Sequence, residues 1–269
     1  MKKLFAFALC AMLGLQVCQA QYTEKKSVVA LGDFTGANGE TLRNAFTSSL
    51  SKCRISVTVV NWNDVKNDSI MASTVDYIIS GTAGNVSVST TTLSSTTYYN
   101  SSLPFSLTMM DAHTSQVIDS RSTQRKSSMS NRDASVRDCL NLEGSVIEEC
   151  NALIYKNCAI RVPIQVIQDM KKNRVQTIII AGGSDIGICK ELYFDVQLES
   201  EIAGKKFYKT VGEAKVKEVL SEELTLCEIT KGHKEITKLL DDDMTIVLTS
   251  NTKSSFGEGA RGIYNTIFH

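Results

Sequence analysis

The stretch that most restricts the fold is VVALGDF at residues 28–34, followed at once by TGANG at 35–39. The first reads as a buried strand and the glycines after it as a turn. Leu42, Ala45, Phe46, Ser49, Leu50 and Cys53 then fall at i, i+3, i+4, i+7, i+8 and i+11, one face of an α-helix. Asn38 or Thr35 is available as its cap, and Glu40 stands in its first turn. A buried strand feeding an amphipathic helix calls for a sheet with helices packed on it.

Further elements add to that strand as far as residue 157. Residues 55–60 are β-branched and read as a second strand, 62–71 as a short helix, and DYIIS at 76–80 as the opening of a third strand. From 80 to 103 the composition turns to Ser, Thr and Asn, a strand running out into a polar hairpin tip. Leu103, Phe105, Leu107 and Met109 alternate with their neighbours, as a returning strand with one buried face does. A turn at 111–115, a strand at 116–122 and a polar link at 125–132 follow. Val136, Leu140, Glu143, Ile147, Cys150 and Ile154 predict one long helix over about 133–156, weakened at Gly144 by about 1 kcal/mol relative to Ala. On such a helix Cys139 and Cys150 stand about 16 Å apart along the axis, as two core thiols and not a bridge.

Past residue 157 the pattern becomes short β-rich segments, at 160–167, 175–181, 192–199, 208–219, 224–230 and 244–249, with a brief helix or loop within 231–243. Short strands with no long helix between them predict a small barrel or sandwich. The expected class is α+β. An N-terminal α/β domain over 21–157, with a mixed, largely antiparallel sheet packed by helices, precedes a small C-terminal β-barrel over 158–250 and a polar tail over 251–269.

The first twenty residues have the make-up of a secretory leader: Lys2 and Lys3, an apolar stretch over 4–15, and small residues at Cys18-Gln-Ala20. That apolar stretch is too short to span a bilayer. Cys18 admits a lipid-anchored N-terminus, although Val17 stands where such leaders usually carry a small residue. Removing Lys2 and Lys3 leaves 27 basic residues against 29 acidic ones, a charge of about −2. That balance gives no electrostatic case for nucleic acid or for anionic membrane surfaces; peripheral contact with a membrane by other means stays open. Six cysteines remain at wide, irregular spacing, which is not a small disulfide framework, although export makes bridges chemically feasible.

No local motif names a reaction. The 32–39 loop lacks the Lys-Ser or Lys-Thr of a triphosphate loop, and its glycines miss the dinucleotide pattern. His113, His233 and His269 form no metal-ligand spacing, and Asp241-Asp-Asp243 lacks the glycine and length of a calcium loop. No catalytic residue, metal site or cofactor is therefore expected. The most unusual composition is the Ser/Thr-rich hairpin at 87–102. Its candidate partner-contact residues are Val86, Val88, Leu93, Tyr98 and Tyr99. TTTLSSTT at 90–97 offers only Leu93 to a lipid face, where a membrane strand needs alternate apolar residues.

Taken together, these segments resemble a known family. VVALGDFTG at 28–36 is similar to the opening strand of the curli production assembly/transport component. The relatives of that component include penicillin-binding-protein activator lipoproteins and the N-terminal domain of the Tol-system periplasmic protein. DYIISG at 76–81 matches the family's acid-Tyr-Ile-hydrophobic-x-Gly segment. LTMMDAHTSQV at 107–117 resembles its strand and turn, with Ser115 in a place often held by glycine. RVP at 161–163, AGGSDIG at 181–187, FDV at 194–196 and VGEAKVKEV at 211–219 resemble the C-terminal barrel of flagellar-assembly T-type envelope proteins. The resemblance implies a non-catalytic exported protein, periplasmic or outer-membrane-associated, that works in assembly or secretion through other envelope proteins or as a homo-oligomer. It also admits an oligomeric outer-membrane secretion channel of the curli type. A third reading is an exported ligand-binding protein or enzyme using the loop from Asp33 to Gly39.

Overall fold

The computed structural model describes residues 22–251 apart from 24, 203, 204 and 243. The expected leader with Cys18, the tail beyond 251 with His269, and Asp243 lie outside the described residues. The first half runs β1 (Val28–Thr35), α1 (Gly39–Leu50), β2 (Thr58–Asn61), α2 (Trp62–Val65), α3 (Ser69–Ser73), β3 (Tyr77–Ala83), β4 (Ser87–Leu93), β5 (Thr96–Asp111), β6 (Val117–Met129), α4 (Arg132–Leu140) and α5 (Glu143–Asn157). β1 pairs in parallel with β2 on one side and β3 on the other. β3 and β4 lie end to end along one side of β5, and β6 lines its other side, all antiparallel. This is the mixed, largely antiparallel sheet that the sequence predicts.

The helical spacing of α1 places Leu42, Phe46, Ser49 and Leu50 inward, where Phe46 and Leu42 are fully buried with Val29, Ile79 and Leu107. Each such apolar side chain contributes about 1.5–3 kcal/mol through burial. Neither Asn38 nor Thr35 caps the helix by a side-chain bond. Asn38 instead donates from Nδ2 to the Gly84 carbonyl at 2.7 Å, tying the turn after β1 to the end of β3. Gly36 in that turn has φ +89, and a Cβ there would stand 2.2 Å from the Ala83 carbonyl oxygen, so only glycine fits. On the opposite sheet face α2 covers a smaller cluster of Ala30, Val65, Val75 and Ile78, and α3 follows it with no buried residue. Their two short helices replace the single one expected over 62–71.

Three expectations in this half need correction. The polar link expected at 125–132 is strand as far as Met129. Its alternation is present but written in polar residues. Asp119, Arg121, Arg125 and Ser127 turn inward under the helices, while Ser120, Ser122, Gln124 and Lys126 face out. The long helix expected over 133–156 is two helices, because Asn141 leaves helical geometry (φ −76, ψ 82) and lets Leu142 bury itself. The 16 Å spacing between Cys139 and Cys150 falls with that helix, although both are buried and not bridged to each other, as expected. The second strand begins at Thr58 and not at Ile55, which makes an isolated bridge with Ile188 instead.

The second half carries β7 (Arg161–Met170), β8 (Val175–Ala181), β9 (Tyr193–Ile202), β10 (Lys205–Val219), β11 (Leu224–Lys231), α6 (His233–Asp241) and β12 (Ile246–Asn251). The six strands close a barrel in the order β10-β11-β8-β7-β12-β9, with β9 paired back to β10. Asn251, placed in the tail by the sequence, is the last residue of β12. Val162, Ile178, Phe194, Val216 and Leu248 fill the interior, and α6 adds Ile236 and Leu239. Barrel and sheet share one continuous core. Their seam includes the Ile55–Ile188 bridge and the Ser56 N–H donated to the Gly187 carbonyl at 2.9 Å. At Gly187 (φ +92) a Cβ would meet the Ser56 oxygen at 2.2 Å.

Candidate partner-contact surface

The sheet has helices on both faces near β1 and β2 and on only one face at its β4–β5–β6 end. The break between β3 and β4 falls beside Pro104, whose carbonyl accepts from the Gly84 N–H at 3.0 Å. Beyond it, β4 and β5 form a hairpin closed by Ser94 (φ 46) and Ser95 (φ 72). Two successive left-handed residues make the tight turn whose twist suits a two-residue hairpin.

The five candidate residues do not gather into one patch. Val86 is half-buried against the main core. Val88 and Tyr99 share the inner face, since Val88 pairs with Ser101 two residues on from Tyr99. That face is held by α4, where Ser135 Oγ lies 2.8 Å from the Tyr99 carbonyl oxygen and 2.8 Å from Ser101 Oγ. Leu93 and Tyr98 point to the opposite, uncovered face, and Leu93 is 60% exposed beside the turn.

On the uncovered face the exposed side chains are mostly hydroxyls and amides, wired across strands. Ser128 Oγ donates to Asn100 Oδ1 at 2.7 Å, and Asn100 Nδ2 donates to Thr91 Oγ1 at 2.9 Å, a row that crosses β6, β5 and β4. Ser102 Oγ donates to Gln124 Oε1 at 2.9 Å. Asn100, Ser102, Gln124 and Ser128 border an open concavity of about 590 Å³, with Lys126 as its charged member. Such a surface can accept and donate hydrogen bonds over a wide area. The residues that build it from β6 were missed in the sequence because no apolar stripe marks that strand.

The other side of β6 shows how the edge is protected. Its outer edge pairs with no described strand, and an open edge invites unwanted pairing unless it is blunted. Asp119, Arg121 and Arg125 point inward from it; Arg125 bonds Asp138 at 3.0 Å, and Lys156 bonds Asp119 at 3.1 Å. Burial alone would raise the Asp119 carboxyl, but Lys156 and Arg121 outweigh it and hold the carboxyl below its ordinary range. Inward charges of this kind disfavour slipped or intermolecular strand pairing. They leave the hydroxyl face, and not the edge, as the surface open to a partner.

The loop of the third reading is largely engaged in holding itself. The Asn38 N–H donates to the Ala83 carbonyl and the Gly39 N–H to the Gly36 carbonyl. A second concavity, of about 320 Å³, opens beside it, where Asp33, Thr35, Trp62, Ser80 and Thr82 converge at the carboxyl ends of β1 and β3. Sequence order gave no sign that Trp62 would face Asp33. His113 lies in the β5–β6 turn, where its N–H donates to Asp111, and His233 Nδ1 lies 2.8 Å from the Val175 carbonyl oxygen. Among the described residues no three His, Cys, Asp or Glu side chains gather as a metal site would require.

No family model matches the chain, and no curated protein matches it. Solved structures are similar to part of it. A neuraminyllactose-binding hemagglutinin homolog from Helicobacter pylori is 12% identical, with 52% of this chain and 94% of that chain covered and a TM-score of 0.36. A minor lipoprotein from Acinetobacter baumannii is 12% identical, covering 47% of this chain and 94% of that one at a TM-score of 0.33. The PelC dodecamer from Paraburkholderia phytofirmans is 12% identical, covering 44% and 86% at a TM-score of 0.30. None of the three is named as a curli component, so the curli-level expectation gains nothing from them. No described helix is long and apolar enough to cross a membrane.

Proposed function

We propose that this chain is a non-catalytic exported cell-envelope protein that acts in the assembly or secretion of surface components by protein–protein contact. The observation that carries the reading is the uncovered β4–β5–β6 face, a hydroxyl and amide surface beside a protected edge. α4 and α5 cover the reverse side, and the polar side chains leave this face open to solvent and to a partner. The leader composition at 1–20 supports export. Size-exclusion chromatography with light scattering, together with crosslinking in the envelope fraction, tests it. The proposal expects a stable homo-oligomer or a reproducible envelope partner. A strict monomer without crosslinked partners contradicts it.

A second reading rests on the concavity at Asp33 and Trp62. Crevices at the carboxyl ends of parallel strands are where open α/β sheets bind ligands, and a carboxylate, an indole and hydroxyls together suit a small polar ligand. A thermal-shift screen over nucleotides, sugars and cations decides it. A ligand at a hundredfold excess over its Kd stabilises by about 2.7 kcal/mol, and a flat response throughout removes the reading. The secretion-channel alternative draws less support, because Leu93 stands nearly alone among Ser and Thr at the hairpin end.

A further inference from the structure

We infer that Cys53 and Cys150 form a disulfide, a covalent clamp between the end of α1 and the middle of α5. Their sulfurs lie 3.6 Å apart, and among the described residues no other two cysteine sulfurs are in contact. An S–S bond is about 2.05 Å long, so the atoms must close by about 1.5 Å. Cys53 can supply that movement, because it lies past the end of α1 in the segment leading to β2, while Cys150 is fixed within α5. Cys53 Sγ is 3.5 Å from the Ser49 carbonyl oxygen and 3.2 Å from Asn151 Oδ1, contacts that hold it at the α1–α5 interface facing its partner.

The inference rests on the export reading in one respect, since disulfides persist in oxidising compartments. The chemistry needs an acceptor disulfide such as oxidised glutathione. The Cys53 thiolate attacks it, forming a mixed disulfide and releasing one thiolate. Cys150, deprotonated, then attacks the Cys53 sulfur and releases the second thiolate. Two electrons pass from the cysteine pair to the acceptor, and both cysteine protons go to solvent or to the released thiolates. The order follows from access: Cys53 retains 8% exposure, whereas Cys150 is completely buried. The hydrogen bond with Cys53, together with burial, pushes the Cys150 thiol far above its ordinary range. Ring closure in the finished core is accordingly slow, and the bond forms most readily as α1 docks on α5 during folding.

The test uses the full chain, purified reduced, unfolded in urea and refolded with oxidised glutathione. Remaining thiols are then alkylated under denaturing conditions and located by mass spectrometry. The expected product links the Cys53 and Cys150 peptides and leaves every other cysteine alkylated, Cys139, Cys158, Cys189 and Cys227 among them. Its urea midpoint is higher than that of the reduced chain and falls back when a reductant is added. Full alkylation of Cys53 and Cys150 in a chain that has regained its native circular dichroism overturns the inference, as does a link from either to another cysteine. Neither outcome requires a variant to fold. Chain recovered from cells then separates the two readings. A cleaved leader and envelope location with a reduced pair overturn the clamp and leave export standing. An uncleaved cytosolic chain that forms the link on refolding overturns export and supports the clamp.

Discussion

At the residue scale the turn between β5 and β6 links a sequence departure to a physical cost. Ser115 occupies the place where the resembled family often has glycine, and its φ is 57. Asp111 holds this turn by accepting from the Thr114 N–H at 2.7 Å and the His113 N–H at 2.9 Å, bonds that keep its carboxyl below the ordinary range. A left-handed conformation costs a non-glycine residue about 1–2 kcal/mol, partly offset by glycine's greater freedom in the unfolded chain. Ser115→Gly is therefore expected to stabilise by up to about 1 kcal/mol, read as a higher urea midpoint at unchanged slope. Asp119 gives a pH signature. Its lowered pKa means that its contribution is full above the unfolded value near 3.8 and is lost as pH falls through the folded one. Asp119→Asn should cost about 0.5–1 kcal/mol at neutral pH by removing the charge that Lys156 and Arg121 meet, both of which keep access to water. The loss should shrink on acidification, as urea melts across pH 2–7 would record.

At the element scale the legible parts were those with an apolar period. The 3.6-residue spacing of Leu42, Phe46 and Leu50 marked α1, and the alternation of Leu103 to Met109 marked β5, because burial of one face dictates both patterns. The second half of β6 was illegible for the opposite reason. Its inner face is built from the Arg125 stem, whose aliphatic portion packs while its end reaches Asp138, and from the buried Ser127. The α4–α5 break was also hidden, since Asn141 is a tolerable helix residue and only the burial of Leu142 requires the interruption. Gly144, expected as a mid-helix weakness, sits instead in the first turn of α5 with nothing within 4 Å of a would-be Cβ. Gly144→Ala should stabilise by about 0.4–1 kcal/mol, seen as a higher melting temperature with unchanged circular dichroism.

At the scale of the whole molecule, the order of sheet then barrel was readable from the change in strand spacing after residue 157. Their shared core was not, because nothing in the sequence pairs Ile55 with Ile188 or Ser56 with Gly187. The candidate surface was half readable: the Ser/Thr-rich hairpin stood out by composition, but its partition into a helix-covered face and an open one depends on register. Contact with a protein partner through the open face of β4, β5 and β6 is what the proposed function requires. The most direct measurement places a photo-crosslinking amino acid singly at Ser89, Gln124 and Ser128 on that face, and at Lys209 and Lys217 on the barrel, in cells making the full chain. Discrete crosslinked species are expected from the three sheet positions and none from the two barrel positions. Crosslinks confined to the barrel, or absent from all five sites in a folded, exported chain, would contradict the proposed function.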